Sequence, residues 1–284
     1  SMPGKIHHIK INDIITVGND LSFALIAGPC QMENRDHTFM LVKKLIEITS
    51  ELSIPFIFKT SFDKANRSSG NSERGIGLEK ALDIFREIKE TFDCPVLTDV
   101  HSEAQCEPVA AVVDILQIPA FLCRQTDLVK AAASTGKIIN VKKGQFLSPW
   151  DINNIIEKIE ATGNHKILLT ERGVSFGYNT LIVDPRSIPI MAKTGYPTVI
   201  DATHAIQQPG GLGNATGGDR EMAPIIARSA IANGVAAVFI ETHDNPNIAP
   251  SDGPNMIALD KMPDLLQVLK HLDKIAKENP INLI

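Results

Sequence analysis

Eight short apolar runs in this 284-residue sequence end in side chains that can do chemistry. The densest ending is Phe58-Lys59-Thr60-Ser61-Phe62-Asp63-Lys64-Ala65-Asn66-Arg67-Ser68-Ser69, where Pro55–Phe58 leads into three cations set among hydroxyl and amide groups. Fixed ammonium and guanidinium groups beside hydroxyls form a receptor for phosphate or carboxylate. Taken alone, the same stretch also reads as a solvated basic loop. The other runs deliver Cys30, Asp99, Gln117, Lys142, Arg172, His204 and Glu241.

These endings sort into two chemical groups. Lys59, Lys64, Arg67, Arg124, Lys142 and Arg172 supply enough positive charge for two phosphates and a carboxylate, which points to phosphorylated ligands. Cys30, His204, Glu241 and Asp252 offer a thiolate, an imidazole and two carboxylates, a set suited to Zn²⁺, Fe²⁺ or Mn²⁺. A metal-free reading stays open, with Cys30 as a small buried hydrophobe and His204 or His243 as a general base. Asp99 and His101 could do acid–base work, and Asp99 could equally accept from a substrate hydroxyl. His7, His8, His37, His165 and His271 read as surface residues.

The elements that must position these groups follow one rhythm. Strands are expected at 23–28, 55–59, 95–99, 115–118, 138–141, 166–170, 198–202 and 236–240. Helices are expected at 38–52, 78–89, 102–113, 125–134, from Ser148 onward, 185–193, 220–232 and 263–277. Ser148-Pro149-Trp150-Asp151 opens its helix with a hydroxyl N-cap, proline at the first position and an acid in the first turn. Alternating strands and helices predict an α/β fold, a (β/α)8 TIM barrel at residues 21–284, preceded by a short N-terminal β-hairpin within residues 1–20. In that fold the residues just after each strand gather at one mouth. The loop Pro209–Gly218 misses the spacing of a dinucleotide-binding turn and does not directly follow a strand, which disfavours a doubly wound sheet. It reads as a mobile lid or as a plain surface connection.

Composition narrows the classes further. A hydrophobic share of 43% with 21% charged residues describes a globular chain with ample core. A net charge of −5 argues against a nucleic-acid surface, and one Trp with two Tyr disfavours a base-stacking platform. No apolar run approaches a membrane span, and no signal-peptide core precedes the hairpin. Cys30, Cys94, Cys106 and Cys123 lack CxxC spacing and fit reduced thiols, so a cytoplasmic location is expected. Ser1 ahead of Met2 reads as a cleavage remnant.

Several of these segments resemble one family, the 3-deoxy-D-manno-octulosonate 8-phosphate synthases within the class I 3-deoxy-heptulosonate 7-phosphate (DAHP) synthase group. They are Ala27-Gly28-Pro29-Cys30, Phe58 to Ser69, Asn140-Val141-Lys142-Lys143-Gly144-Gln145-Phe146, Thr170-Glu171-Arg172-Gly173, Asp201-Ala202-Thr203-His204-Ala205 and Ile240-Glu241-Thr242-His243. The likeness runs in register from about residue 10 to 270, and Lys-Ala-Asn-Arg-Ser-Ser is its most specific part. The resemblance implies a homotetrameric barrel that condenses phosphoenolpyruvate with D-arabinose 5-phosphate and water, on the route to lipopolysaccharide. Cys30 with Ser251-Asp252 resembles the metal-dependent branch, whose divalent cation would lie on Cys30, His204, Glu241 and Asp252. By the same resemblance Lys142, Arg172 and Arg124 take the phosphate of phosphoenolpyruvate and Lys59 and Lys64 its carboxylate region. Ser61 and Gln145 would line the site. Asn66, Arg67 and Ser68 would bind arabinose 5-phosphate across a subunit interface, and Asp99 and Gln117 would lie near its hydroxyls. The implied mechanism has phosphoenolpyruvate C3 attack the aldehyde and water, oriented by the metal and His204, capture C2. The nearest rival is a DAHP synthase using erythrose 4-phosphate, which typically has Lys-Pro-Arg-Thr in place of Lys-Ala-Asn-Arg. A Schiff-base aldolase using Lys59 or Lys142, and a non-catalytic phosphosugar-binding barrel, are the more distant readings.

Overall fold

The computed structural model describes residues 5–63, 75–212 and 215–282, with the side chains of 209–212 and 215–218 left aside. A small hairpin, β1 (Ile9–Lys10) and β2 (Thr16–Val17), comes first. Asn12 makes its turn, accepting from the N–H groups of Ile14 and Ile15. The main rhythm is β3 (Ala24–Gly28), α1 (Arg35–Leu52), β4 (Phe56–Lys59), α2 (Leu78–Phe92), β5 (Val96–Asp99), α3 (Glu103–Ala110), β6 (Ile115–Ile118), α4 (Thr126–Ser134), β7 (Ile138–Lys142), α5 (Ile152–Glu160) and β8 (Ile167–Glu171). It continues through a second hairpin, β9 (Val174–Ser175) and β10 (Leu181–Ile182), then α6 (Ser187–Ala192) and β11 (Thr198–Asp201). A third hairpin, β12 (Gln207–Leu212) and β13 (Ala215–Gly218), precedes α7 (Ala223–Ile231), β14 (Ala237–His243), β15 (Ile257–Ala258) and α8 (Met262–Glu278).

Strands β3, β4, β5, β6, β7, β8, β11 and β14 pair in parallel in that order, and β11 pairs with β14 and β14 with β3 to close the ring. The chain is therefore a (β/α)8 barrel. Two cores follow from the two-residue period of the strands. Leu25, Phe56, Phe58, Val96, Leu116, Val141, Leu169, Ile200, Val238 and Ile240 face outward and pack with the helices. Ala24, Ile26, Ile57, Leu97, Ile115, Ile138, Leu168, Val199, Ala237 and Phe239 form a separate inner cluster, joined by Ile9, Ile11, Ile15 and Val17 of the first hairpin. The hairpin thus plugs the barrel. Asn19 ties it in, donating to the Tyr196 carbonyl at 2.9 Å and accepting from Thr198 N–H at 2.8 Å.

Parity has a chemical consequence. Two residues beyond each inner-cluster position lies another inward side chain: Lys59 after Ile57, Asp99 after Leu97, Gln117 after Ile115, Asn140 after Ile138, Thr170 after Leu168, Asp201 after Val199 and Glu241 after Phe239. The apolar plug gives way to a polar layer at the carboxyl ends of the strands.

The described parts of the Pro209–Gly218 loop, residues 209–212 and 215–218, are not a plain connection: they pair in the β12–β13 hairpin, with Gln207 opposite Gly218 and Leu212 opposite Ala215. Its glycines break the apolar–polar alternation that normally marks strands, so only backbone pairing reveals it.

Candidate active site

Gly28 brings the first two strand ends together. A Cβ there would sit 1.8 Å from the Lys59 carbonyl oxygen, so only glycine permits this approach of β3 to β4. Beyond it the chains stay joined, with Ser61 N–H donating to Cys30 O at 3.1 Å and Met32 N–H to Ser61 O at 2.9 Å. Lys59 Nζ donates to Cys30 O at 3.3 Å and to Glu241 Oε2 at 2.6 Å. Lys142 Nζ, from β7, lies 2.5 Å from Asp201 Oδ2. Both ammonium groups stand over the Phe239 ring, Lys142 at 4.1 Å and Lys59 at 5.4 Å from its centre, so this aromatic floor separates the mouth from the plug.

Burial pushes the Lys142 pKa down, against the pull of Asp201. Burial likewise lowers that of Arg172, which follows β8 and is countered by Asp201, Asp252, Glu241 and Glu171. Arg172 donates to Gln207 Oε1 at 2.5 Å, yet its buried Nε has no hydrogen-bond partner among the described residues. The same holds for Gln145 Oε1 beyond β7. An arginine this buried with an unused donor is built to receive an anion.

The second group also assembles. Cys30 Sγ, Glu241 and Asp252 place ligand atoms within 4.8 Å of one another, with Cys30 Sγ 3.1 Å from Asp252 Oδ2. His204 Nε2 lies 3.2 Å from Glu241 Oε1 and 3.5 Å from Asp252 Oδ2. Its Nδ1 lies 2.6 Å from Asp201 Oδ2. An ionised carboxylate only accepts, so Nδ1, which Lys142 Nζ also approaches at 3.4 Å, carries a proton toward Asp201, and Nε2 faces the carboxylates of Glu241 and Asp252. That donor set fits a divalent cation of the Zn²⁺, Fe²⁺ or Mn²⁺ type. Asp201 itself is driven upward by burial, but His204 and Lys142 outweigh this and hold its pKa well below the carboxylate range.

A nearby cluster differs in kind. His37 contacts Glu33 at 2.8 Å and Asp244 at 2.6 Å, and His243 Nε2 lies 2.9 Å from Glu33 Oε2. Asn245 N–H donates to His243 Nδ1 at 2.9 Å, so the His243 proton sits on Nε2 and points at Glu33. This is a hydrogen-bonded clasp between the start of α1 and the exit of β14. It corrects the reading of His37 as a surface residue; His7, stacked on Tyr196 at 4.2 Å, is likewise not free surface.

Of the residues singled out in the sequence, the structure gathers Cys30, Lys59, Ser61, Asp99, Gln117, Lys142, Gln145, Arg172, His204, Glu241 and Asp252 at the mouth. Asp99 accepts from Ser61 Oγ and lies 2.8 Å from His101 Nε2, while Gln117 Oε1 accepts from Asn140 Nδ2 at 2.9 Å. Arg124 stands apart. It is exposed and lines a groove of about 740 Å³ with Lys130, Phe146 and Lys158, and among the described residues no hydrogen bond or ion pair joins it to Lys142 or Arg172. Lys64, Asn66, Arg67 and Ser68 lie outside the described residues. Sequence reasoning passed over Asp201 and Phe239 as site residues. Strand parity was the available signal, since each follows an inward apolar position by two.

Comparison with known proteins places this mouth. The family model described as "DAHP synthetase I family" matches residues 7–278. The chain belongs to that family. It is 60% identical over 269 residues to a protein of Brucella anthropi named 2-dehydro-3-deoxyphosphooctonate aldolase, covering 95% of this chain and 97% of that one. A protein of the same name from Granulibacter bethesdensis is 61% identical over 263 residues, covering 93% of each. The Brucella ovis counterpart is 59% identical over 269 residues, covering 95% of this chain and 97% of the relative.

Proposed function

We propose that this chain condenses phosphoenolpyruvate with D-arabinose 5-phosphate and water, giving 3-deoxy-D-manno-octulosonate 8-phosphate and inorganic phosphate. The observation that carries it is the buried, incompletely bonded Arg172 guanidinium near Lys142, a receptor for a phosphate at the barrel mouth. The relatives' shared name narrows the substrates.

Lys142 and Arg172 hold the phosphate of phosphoenolpyruvate, with Gln145 beside them; Arg124, which the resemblance adds to them, stands in its own groove in this structure. Lys59 and Lys64 face the carboxylate, and Ser61 lines the wall. Asn66, Arg67 and Ser68 take arabinose 5-phosphate, whose hydroxyls meet Asp99 and Gln117. Holding two anions in one mouth removes the repulsion that keeps them apart in water. C3 of phosphoenolpyruvate then bonds to the aldehyde carbon while positive charge develops at C2. The aldehyde oxygen takes a proton, for which the Ser61–Asp99–His101 chain is the nearest relay. Water adds to C2 and gives up one proton, replacing the one taken by the aldehyde oxygen; the resulting hemiketal phosphate then breaks the bond between C2 and its phosphate oxygen while the hydroxyl proton passes to the departing phosphate, leaving the ketone and phosphate. Cys30, His204, Glu241 and Asp252 would hold the divalent cation, which would supply Lewis acidity when bound. The reading carries with it a homotetramer and a cytoplasmic location, the latter in keeping with four buried free cysteines and with no described helix long and apolar enough to cross a membrane.

The test is phosphate release from phosphoenolpyruvate with arabinose 5-phosphate or erythrose 4-phosphate, before and after chelation and metal add-back. Turnover with arabinose 5-phosphate, lost on chelation and restored by metal, is expected. Preference for erythrose 4-phosphate overturns the substrate, and full activity after exhaustive chelation overturns the metal.

A further inference from the structure

Asp201 joins the two halves of the mouth through one oxygen. Its Oδ2 accepts from Lys142 Nζ at 2.5 Å and lies 2.6 Å from His204 Nδ1, while Oδ1 accepts from His204 N–H at 3.0 Å. The side chain is 0% exposed, so these contacts are shielded from bulk solvent. Lys142 belongs to the cationic group and His204 to the donor set beside Cys30.

Building on the function proposed above, we propose that Asp201 is a positioning residue that couples phosphate binding at Lys142 to cation binding at His204, so that each tightens the other. A carboxylate oxygen divided between two donors serves each less fully than it would serve one. When a phosphate draws the Lys142 ammonium toward itself, Oδ2 is left to the Nδ1–H of His204. A stronger hydrogen bond there makes Nε2 a better donor to a cation, as carboxylates behind metal-bound histidines do generally. The Oδ1 bond to the His204 backbone pins the carboxylate to its turn, so it does not follow the lysine. Linkage requires the converse: a cation on Nε2 makes Nδ1–H more acidic, draws on Oδ2, and releases Lys142 toward the phosphate by the same factor.

The experiment uses the full chain freed of metal and titrated with Co²⁺ against a chromophoric chelator, with and without saturating phosphoenolpyruvate. Binding of phosphoenolpyruvate to the metal-free chain is measured separately by equilibrium dialysis. Phosphoenolpyruvate is expected to tighten Co²⁺ binding at least about 5-fold, the low end of typical coupling. Asp201→Asn is expected to weaken Co²⁺ by about 10–100-fold, as loss of such partners does, and to bring the phosphoenolpyruvate effect close to one. Cys30→Ser should weaken Co²⁺ while leaving the ratio in place, a separation that general damage to the mouth does not produce. Asp201→Ser replaces the Asn variant if circular dichroism finds that one unfolded. If phosphoenolpyruvate binds the wild type without changing its Co²⁺ affinity, the coupling is refuted whatever the variants do. A ratio that persists in Asp201→Asn assigns the effect to direct contact between phosphoenolpyruvate and the cation, and refutes it too. Failure of phosphoenolpyruvate to bind at all overturns the substrate reading instead, and the coupling with it.

Discussion

Replacing Glu241 with Leu would take from the Lys59 ammonium the carboxylate it meets at 2.6 Å, leaving the uncharged Cys30 carbonyl oxygen, 3.3 Å away, among its contacts. In the native protein the pair is 2.6 Å long, and its side chains are 2% and 1% exposed. At an effective dielectric of about 20, the attraction at that separation is roughly 6 kcal/mol. Desolvation of two ions takes back much of it, and removal of one partner from such a pair costs about 3–5 kcal/mol because the other charge is stranded. Lys59→Met should be the milder change, since Glu241 Oε1 keeps His204 Nε2 at 3.2 Å. The double variant Lys59→Met/Glu241→Leu strands neither charge and should be less destabilised than either single one. The assay is urea unfolding of the metal-free proteins, comparing midpoints at matched slopes. If the two single losses simply add in the double variant, each residue acts independently, and a charge pair is not what holds the floor of the mouth.

Burial lowers the Lys142 pKa, so its charge is lost at lower pH than an ordinary lysine's; the KM for phosphoenolpyruvate should climb with rising pH before the ordinary lysine value is reached, which a pH profile checks. Asp201 is depressed in the folded chain, so the unfolded chain takes its proton first; its contribution to stability is full above the ordinary carboxylate range and drains away as pH falls below it, and Asp201→Asn should flatten that acid limb of the unfolding midpoint. Burial pushes the Cys94 thiol up to about 12 and Cys106 up to about 11, so at pH 8 neither should be alkylated in the native protein, while both react after unfolding, as mass mapping would reveal. Gly28→Ala drives a methyl group into the Lys59 carbonyl and should cost about 3 kcal/mol or more, seen as a lower thermal midpoint, with loss of activity because Cys30 and Lys59 sit on either side of the clash.

The barrel was legible because its signals are local. Apolar runs such as Ile115–Ile118 and Ile138–Lys142 end in turn residues and lead into amphipathic segments, and the structure places strands there. The Ser148 capping box forms as its sequence implies, with Asp151 accepting from Ser148 N–H at 3.0 Å, although its first turn is a 3₁₀ helix before α5 begins. Elements without such signals escaped. The β9–β10 and β12–β13 hairpins are held by backbone pairing in stretches where side-chain alternation is weak or absent.

The mouth divides along a similar line. Position at the strand ends was enough to collect Lys59, Asp99, Lys142 and Glu241. It does not say which groups will share a proton or a charge, because that depends on strands distant in sequence. Lys142 and Asp201 are 59 residues apart and Lys59 and Glu241 182 apart, and each lysine meets its carboxylate only in the folded chain. Lys143 and Glu171 illustrate the same point with the opposite outcome. They adjoin Lys142 and Arg172 in sequence, yet having the other parity they meet at 3.3 Å within the protein, buried at 0% and 2% side-chain exposure. Glu171 Oε2 also accepts from Arg172 N–H and Gly173 N–H, at 3.0 and 3.2 Å. A cation one residue from the proposed phosphate receptor thus braces the turn that presents Arg172. Charge next to a site in sequence becomes support for it when the strand turns that charge outward.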